Sequence, residues 1–598
     1  MKPTFYLLIL ILICQQSFAQ ITVRNDAYIF GNDVVIYVAD DINLKEANTN
    51  LYLRNEAQII QGAGNTGNSG LGRLSVYQEG TVNNYAYNYW SSPVGNVTTN
   101  TVGNSPFIPN QNIFDVVDLT TSNLAGYSTS GYNGSSSPLN IESYWLWKYN
   151  PGATYSDWDF VGQSGTVDAG YGFSMKGTIG SSAASGQLYD FRGKPNEGEI
   201  NTAVVLGQET LIGNPYPSAL DARAFIHDPN NVPLLDSGTL YFWEQDQTIS
   251  SHILEAYRGG YGSFTITASG TVGSYVPPTF NAYNSDGTLN TTGTSSTSGK
   301  QVRRYIPIGQ GFMVKGAATG SLLTSDSHRV FYRESGTNSE FYRTSVQNQT
   351  NHDDQVYEIQ YDNNGLQILP SDYKRFRLNI DFNNLYTRQL LHNFHETATT
   401  NFDYGLESKV FSTLNTDANW VQNNEAYNIK ADNFVVDLTI PLSLKLNNQQ
   451  LIRFRIFDVQ NFESAQPIYI HDILENVYIN LKEQDFEVNL PAGEYNNRFE
   501  ITFQKVNSLS NQEFTEASFI ILQENNLNQL IIKNPNTIAL KSVKLFDITG
   551  KQIFYKSDME NKTRVTFSTK NLSDGVYVTK IETKDGSTIS KKVIITNK

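Results

Sequence analysis

Short runs of aromatic and β-branched residues, each closed off by Gly, Asn, Ser or Thr, recur along almost the whole chain. Such side chains suit a pleated, half-buried surface, and Gly, Asn and Ser suit tight turns. The pattern predicts many short strands joined by polar loops. The composition agrees, with 35 Tyr and 32 Phe against 4 Met. At 598 residues the chain outgrows a single core, and about 100–200 residues per domain implies roughly three to five domains. The predicted fold class is all-β and multidomain: tandem β-sandwich domains with an immunoglobulin-like sandwich at the end.

The formal net charge of −15 and the lack of a basic stripe exclude a general nucleic-acid binder, which needs cations to displace counterions. The N-terminus reads as a secretory signal peptide over residues 1–19. Lys2 supplies the positive end, Phe5 to Ile13 is an apolar run too short to span a bilayer, and Ser17-Phe18-Ala19 predicts cleavage between Ala19 and Gln20. A lipoprotein signal would anchor the chain through Cys14, but it calls for small residues ahead of the Cys, and Leu12-Ile13 stand there. Cys14 is the only cysteine. The mature chain is therefore predicted to have no disulfide, catalytic thiol or thiolate metal site. No later apolar stretch reaches membrane length, so the mature form is expected to have no transmembrane helix.

Residues 20–80 read as short, evenly spaced strands (Val34 to Val38, Leu51 to Leu53, Gln58 to Ile60), which fit a β-solenoid turn or a small sheet. Residues 81–345 contain an internal duplication, with copies over about 81–200 and 201–345. Tyr89-Trp90-Ser91-Ser92-Pro93, Tyr144 to Lys148, Gly170 to Gly177 and Tyr189 to Gly193 return in the same order as Gly213-Asn214-Pro215-Tyr216-Pro217, Leu240 to Glu244, Gly309 to Gly316 and Phe331 to Glu334. The best-matched pair is G-x-G-F-x-x-K-G at Gly170–Gly177 and Gly309–Gly316. Each should be a strand entered through glycines, with its Phe to the core and its Lys to solvent. No helix pattern follows either copy, which excludes a phosphate loop. Gly126 to Pro138 and Thr279 to Gly299 read as long polar loops. Residues 346–506 carry strand candidates at Gln355–Tyr361, Arg375–Phe382, Phe434–Ile440, Leu451–Asp458, Ile468–Asp472 and Arg498–Phe503, which suggests a jelly-roll-like sandwich. Residues 507–518 are a polar linker. Residues 519–598 hold seven strand candidates in about 80 residues, the proportions of an immunoglobulin-like sandwich.

This last segment resembles the type A C-terminal sorting domain of the type IX secretion system. The resemblance rests on Asn534-Pro535-Asn536, Val543 to Lys551, Leu572 to Val578 and the ending Lys591-Lys592-Val593-Ile594-Ile595. More weakly, Phe376 to Ile380, Asn401 to Gly405 and Gly493 to Phe503 resemble a sandwich module that precedes such domains. The resemblance implies passage through the outer membrane to the cell surface or medium, with the secretion translocon as a partner and surface lipopolysaccharide as an attachment point. The residues expected to carry the signal are Gly550, Lys551, Gly575, Tyr577, Lys591 and Lys592. Thr549-Gly550 and Asp574-Gly575 are each expected to form a hairpin turn.

No catalytic constellation stands out. His392-Asn393-Phe394-His395-Glu396 lacks the spacing of a zinc protease, and on a strand its two His would face opposite ways. The remaining His residues are scattered, at 227, 252, 328, 352 and 471. Asp353-Asp354 and Asp362 to Gly365 offer hard oxygens for structural calcium but miss EF-hand spacing, and turn formation explains both. No cofactor is expected. The leading reading is a non-enzymatic adhesin-like protein that contacts glycans or matrix, with Trp90, Trp145, Trp147, Trp158 and Trp243 as candidate sugar platforms. The alternative is a secreted polysaccharide hydrolase with a carboxylate pair at the sandwich loops.

Overall fold

The computed structural model describes residues 20–597 except 65, 99–101, 297–299, 335–358, 506–518, 536, 558, 560–561, 585 and 587; at 289 and 291–296 it describes backbone only. The signal segment with Ala19, the linker 507–518, His352 and Asp353-Asp354 lie outside the described residues. The fold is all-β and multidomain.

Residues 21–80 coil as a short β-solenoid with three parallel faces. Ile21–Val23, Ile42–Leu44 and Ser69–Gly70 stack in one face, and Tyr28–Asn32, Asn50–Arg54 and Arg73–Gly80 in the second. Val35–Val38 and Gln58–Gln61 make the third. Parallel neighbours need a crossover, and each coil supplies one. Val23, Val38, Leu51, Leu53, Ile59 and Leu74 fill the interior. Asn25, Asp26, Asp33, Asn55 and Glu56 turn corners with positive φ.

The duplication appears as two sheets of matching order. In the first, Asp159–Phe160, Trp147–Lys148, Gly172–Lys176 and Tyr87–Ser91 are neighbours. In the second, Gly259–Ile266, Leu240–Gln245, Gly311–Lys315 and Glu209–Gly213 follow the same sequence of partners. Phe173 sits opposite Trp90 as Phe312 sits opposite Ile212, and both phenylalanines are fully buried. The copies join reciprocally. The Ser91 N–H donates to Gly309 O (2.8 Å) and the Gly213 N–H to Gly170 O (3.1 Å). Trp90 bridges to Gln310 and Ile212 to Tyr171. Equivalent residues thus exchange partners across one seam, the self-complementary pattern of a twofold interface.

Both glycines of each G-x-G follow from this seam. Gly170 and Gly309 have φ of +88° and +77°, the left-handed region. A Cβ on Gly172 would lie 2.8 Å from Leu211 Cγ and 3.0 Å from Ile212 O, and one on Gly311 would lie 2.8 Å from Trp90 N. The strand of the other copy passes too close for any side chain. The motif lysines depart from expectation. Lys315 is half-buried and Lys176 is buried, because sequence alternation cannot show that a second copy covers the outer face. The stretches read as long polar loops also contain strands. Gly126–Ser128 and Gly134–Ser136 join a four-stranded sheet, and Thr279–Tyr283 pairs with Leu289–Ser296. Their Ser, Thr and Gly residues pair through the backbone without an apolar signature.

After the duplication comes an eleven-stranded sheet that curls around one core, including Phe376, Leu378, Ile380, Trp420, Leu442 and Phe454. Strands at Lys374–Phe382, Gln450–Gln460, Tyr469–Asp472 and Gly493–Thr502 match four candidates, but the expected Phe434–Ile440 strand begins only at Thr439. Phe434 instead packs edge-on against Phe394, Phe462 and Phe503 at one end of the core. In the described part of Gln355–Tyr361 there is one isolated bridge, Tyr361 to Gln367. This sheet is not independent of the second copy: buried Arg375 and Arg377 donate to Gly273 O, Ser274 Oγ and Tyr275 O.

The last domain is a sandwich of a three-stranded and a four-stranded sheet. Leu540–Asp547 and Gln552–Ser557 form a hairpin about Gly550. Asp574-Gly575 is not a hairpin turn. The strand before it, Arg564–Ser568, pairs in the three-stranded sheet, and the strand after it, Gly575–Thr583, pairs in the other. The turn carries the chain from one layer to the next.

Candidate ligand-binding site

Strand alternation sends Tyr87 and Tyr89 to the face opposite Trp90. Trp90 fills the core beside Tyr189 and Phe191, while the two tyrosines face a cavity of about 330 Å³ where the copies meet. The first copy also contributes Tyr144, Trp145, Trp147, Tyr155 and Trp158; the second contributes Trp243, Tyr257, Tyr261 and Tyr283. Ser156, Ser174 and Leu254 complete the wall. The rings brace one another. Tyr89 stacks on Trp243 at 6.0 Å, Trp243 meets Tyr261 edge-on at 5.2 Å, and Tyr89 and Tyr261 hydroxyls share a 2.9 Å hydrogen bond. Tyr149 supports Trp158 from behind at 5.0 Å. Trp145 Nε1 donates to Tyr132 O and Trp147 Nε1 to Tyr144 O, fixing both rings, whereas buried Trp243 Nε1 has no hydrogen-bond partner. Tyr144 and Tyr155, about half exposed, form the rim.

Lys176 lies behind this wall. Its Nζ stands 3.5 Å from the Trp145 ring centroid, contacts the Tyr257 hydroxyl, and is 3.0 Å from His252 Nδ1. Burial lowers its pKa to about 6. Burial first, and the Lys176 charge second, hold His252 down at about 4.

Of the five candidate tryptophans, four line this single cavity and Trp90 does not. Sequence alone does not distinguish the cavity tyrosines from the others, although Tyr87/Tyr89 and Trp145/Trp147 show the i, i+2 spacing that puts both members on one strand face. That opposing walls come from different copies has no local signal.

The other candidates lie elsewhere. His392 is buried with Nε2 3.0 Å from Asp432, and His395 stacks on Tyr373 at 3.9 Å. His227 meets Ile266 O, His328 meets Asp228 and His471 meets Glu500. The Asp362 carboxylate accepts from the Asn364 and Leu366 N–H groups and so closes its own turn. In the last domain, Gly550 (φ +84°) and Lys551 are exposed at a hairpin tip that Asp547 Oδ1 holds through Thr549 and the Lys551 N–H. Gly575, Tyr577, Lys591 and Lys592 lie on the paired last two strands. The Tyr577 hydroxyl donates to Ser573 O, and Lys591 Nζ donates to Phe519 O.

No curated protein matches the chain. Among solved structures, a Treponema pallidum 47-kilodalton lipoprotein, Tp47, is 9% identical, with 63% of this chain and 92% of that one covered and a TM-score of 0.12. The BSP domain of a biofilm associated protein is 9% identical, covering 88% and 96%, with a TM-score of 0.15. The extracellular domain of a putative one component system from B. thetaiotaomicron is 11% identical, covering 65% and 60%, with a TM-score of 0.10. A family model described as Domain of unknown function (DUF8694) matches residues 508–595. The match of another runs from within the first copy to the end of the curled sheet, over residues 127–503, and by it the chain belongs to the family described as Domain of unknown function (DUF8693).

Proposed function

We propose that this chain is an exported surface or secreted protein, adhesin-like and non-enzymatic, that binds glycan in the aromatic cavity at the seam. The observation that carries the reading is the wall itself: rings from both copies, braced against one another, around a space of about 330 Å³. Flat apolar faces beside hydroxyl groups suit sugar rings, and side chains held by their neighbours lose little freedom when a ligand arrives. The residues lining this cavity include no carboxylate. The pair a glycosidase needs, roughly 5–9.5 Å apart, is missing from this wall, which favours binding over hydrolysis.

In this reading residues 519–598 are the address tag for type IX secretion, with the tip at Gly550-Lys551 and the last strand with Lys591-Lys592 offered to the translocon. Lipopolysaccharide attachment would follow. Sequence resemblance supports that assignment, and the exposure of the hairpin tip is compatible with it.

A glycan array probed with the purified chain, followed by titration of tryptophan fluorescence with the best ligand, tests the binding. Saturable quenching is expected, with Trp158→Ala weakening affinity by about 10-fold or more, the scale of one lost stacking contact. Absence of binding across the array, or unchanged affinity in Trp158→Ala and Trp147→Ala, overturns the proposal.

A further inference from the structure

Two buried carboxylates approach each other where the solenoid meets the seam. Asp41 sits in the solenoid turn that leads into Ile42–Leu44. Glu197 sits between the copies, next to Asn196, whose Nδ2 donates to Ser92 O and Pro215 O and so ties the two matching Pro motifs together. Both carboxylates are buried, at 2% and 4% exposure. Asp41 Oδ2 accepts from the Thr66 N–H and hydroxyl, but Asp41 Oδ1 is buried with no hydrogen-bond partner. Glu197 accepts from Gln61 Nε2 and the Asn68 N–H.

Gly64 lies against both carboxylates. A Cβ built there would stand 1.8 Å from Asp41 Oδ1 and 3.2 Å from Glu197 Oε2. The two oxygens are therefore no more than about 5 Å apart, a span that two Ca–O bonds of roughly 2.3–2.6 Å can bridge. Exposed Gly64 leaves the site a route to solvent. Leaving a carboxylate oxygen buried and unpartnered beside a second carboxylate is costly, and a cation removes that cost. The nearby cations are otherwise engaged: Arg329 donates to Asp326, Ser218 and Ile59 O, and Lys194 pulls on Glu197 without approaching Asp41 Oδ1 within hydrogen-bond distance. Burial first, and the Asp41 charge further down, push the Glu197 pKa up to about 7.

We propose that Asp41 Oδ1 and Glu197 Oε2 bind one calcium ion, which clamps the solenoid to the junction of the two copies. Both named ligand atoms are hard carboxylate oxygens, which suits calcium over zinc. Water would complete the coordination.

The test is calorimetric titration of CaCl2 into the chelator-stripped full chain, paired with thermal melts in CaCl2 and in EDTA. The expected result is one calcium per chain and a melting temperature several degrees higher with calcium, reversed by EDTA. Asp41→Asn and Glu197→Gln should each weaken calcium binding by about 10-fold or more while circular dichroism stays unchanged. Where either fails to fold, Gly64→Ala, whose methyl would collide with Asp41 Oδ1 and displace it, should abolish the calcium response. No response at millimolar CaCl2, or a response that survives these substitutions, overturns the proposal. So does a melting temperature that follows pH near 7 and ignores calcium, because the two carboxylates would then share a proton.

Discussion

Lys176 concentrates the electrostatic tension of the cavity wall. The Trp145 face favours its charged form, by about 2 kcal/mol or more when desolvated. Burial opposes that and wins: the shift from 10.5 to about 6, at roughly 1.4 kcal/mol per pH unit, exceeds the ring's contribution. Because the folded value lies below the unfolded one, the unfolded chain binds the extra proton between about pH 6 and 10.5. The penalty on folding is full below pH 6 and fades as pH rises through that window. Lys176→Met should therefore flatten the rise of melting temperature with pH between 6 and 10; an unchanged slope would place the titration elsewhere. Gly309 and Gly170 both hold left-handed backbone, and at Gly170 a Cβ would also lie 2.7 Å from Ile200 Cγ2 and 2.8 Å from Thr202 Cγ2. With φ of +77° and +88°, each should cost roughly 1–2 kcal/mol when changed to Ala, measurable by urea denaturation. The sequence showed these glycines as a repeated motif. It did not show that the Lys six residues on, in the first copy, is buried, because part of what buries it, His252 and Tyr257, comes from the other copy.

At the scale of elements, the seam decides what the cavity can be. Gly172 and Gly311 are equivalent, and a Cβ on either would lie within about 3 Å of the paired strand of the opposite copy. Gly172→Ala and Gly311→Ala should each destabilise by about 1–3 kcal/mol through overpacking and loosen the cavity, so both should also weaken ligand binding. Surface glycines with open space, such as Gly180 and Gly207, serve as controls in the same denaturation series; their left-handed φ limits them to backbone strain without overpacking. Gly259 acts on the cavity more directly, since a Cβ there would lie 2.5 Å from Trp243 Cζ2. Gly259→Ala should displace that ring and reduce fluorescence quenching by ligand more than it lowers the melting temperature. Strand identity was legible in this region from apolar runs such as Leu240 to Glu244. The Thr279–Tyr283 and Leu289–Ser296 hairpin was not, because Ser, Thr and Gly carry no face preference until a neighbouring strand supplies one.

For the molecule as a whole, the last domain has its own sandwich core, built on Phe519, Ile532, Leu540, Val543 and Ile581. Among the described residues its ties to the preceding sheet are the Lys533–Glu487 ion pair at 3.7 Å and Ile520 against the edge of that core. Removing everything after residue 506 should leave the melting transition of the remainder nearly unchanged and retain ligand binding, while cells expressing the truncated chain should fail to deliver it to surface or medium. Fractionation with intact delivery would sink the address-tag reading. The amino-acid sequence alone determined the all-β class, the two copies, the seven strands of the last domain and the aromatic stock, because alternation, turn residues and repeated motifs are local properties. Tertiary structure alone decided which aromatic rings meet, why Trp90 is core while Trp243 lines a cavity, and that Asp41 and Glu197 come against the same glycine, Gly64. Those outcomes depend on how surfaces far apart in the chain are brought together, and the identity of a packing partner is not encoded at the residue it covers.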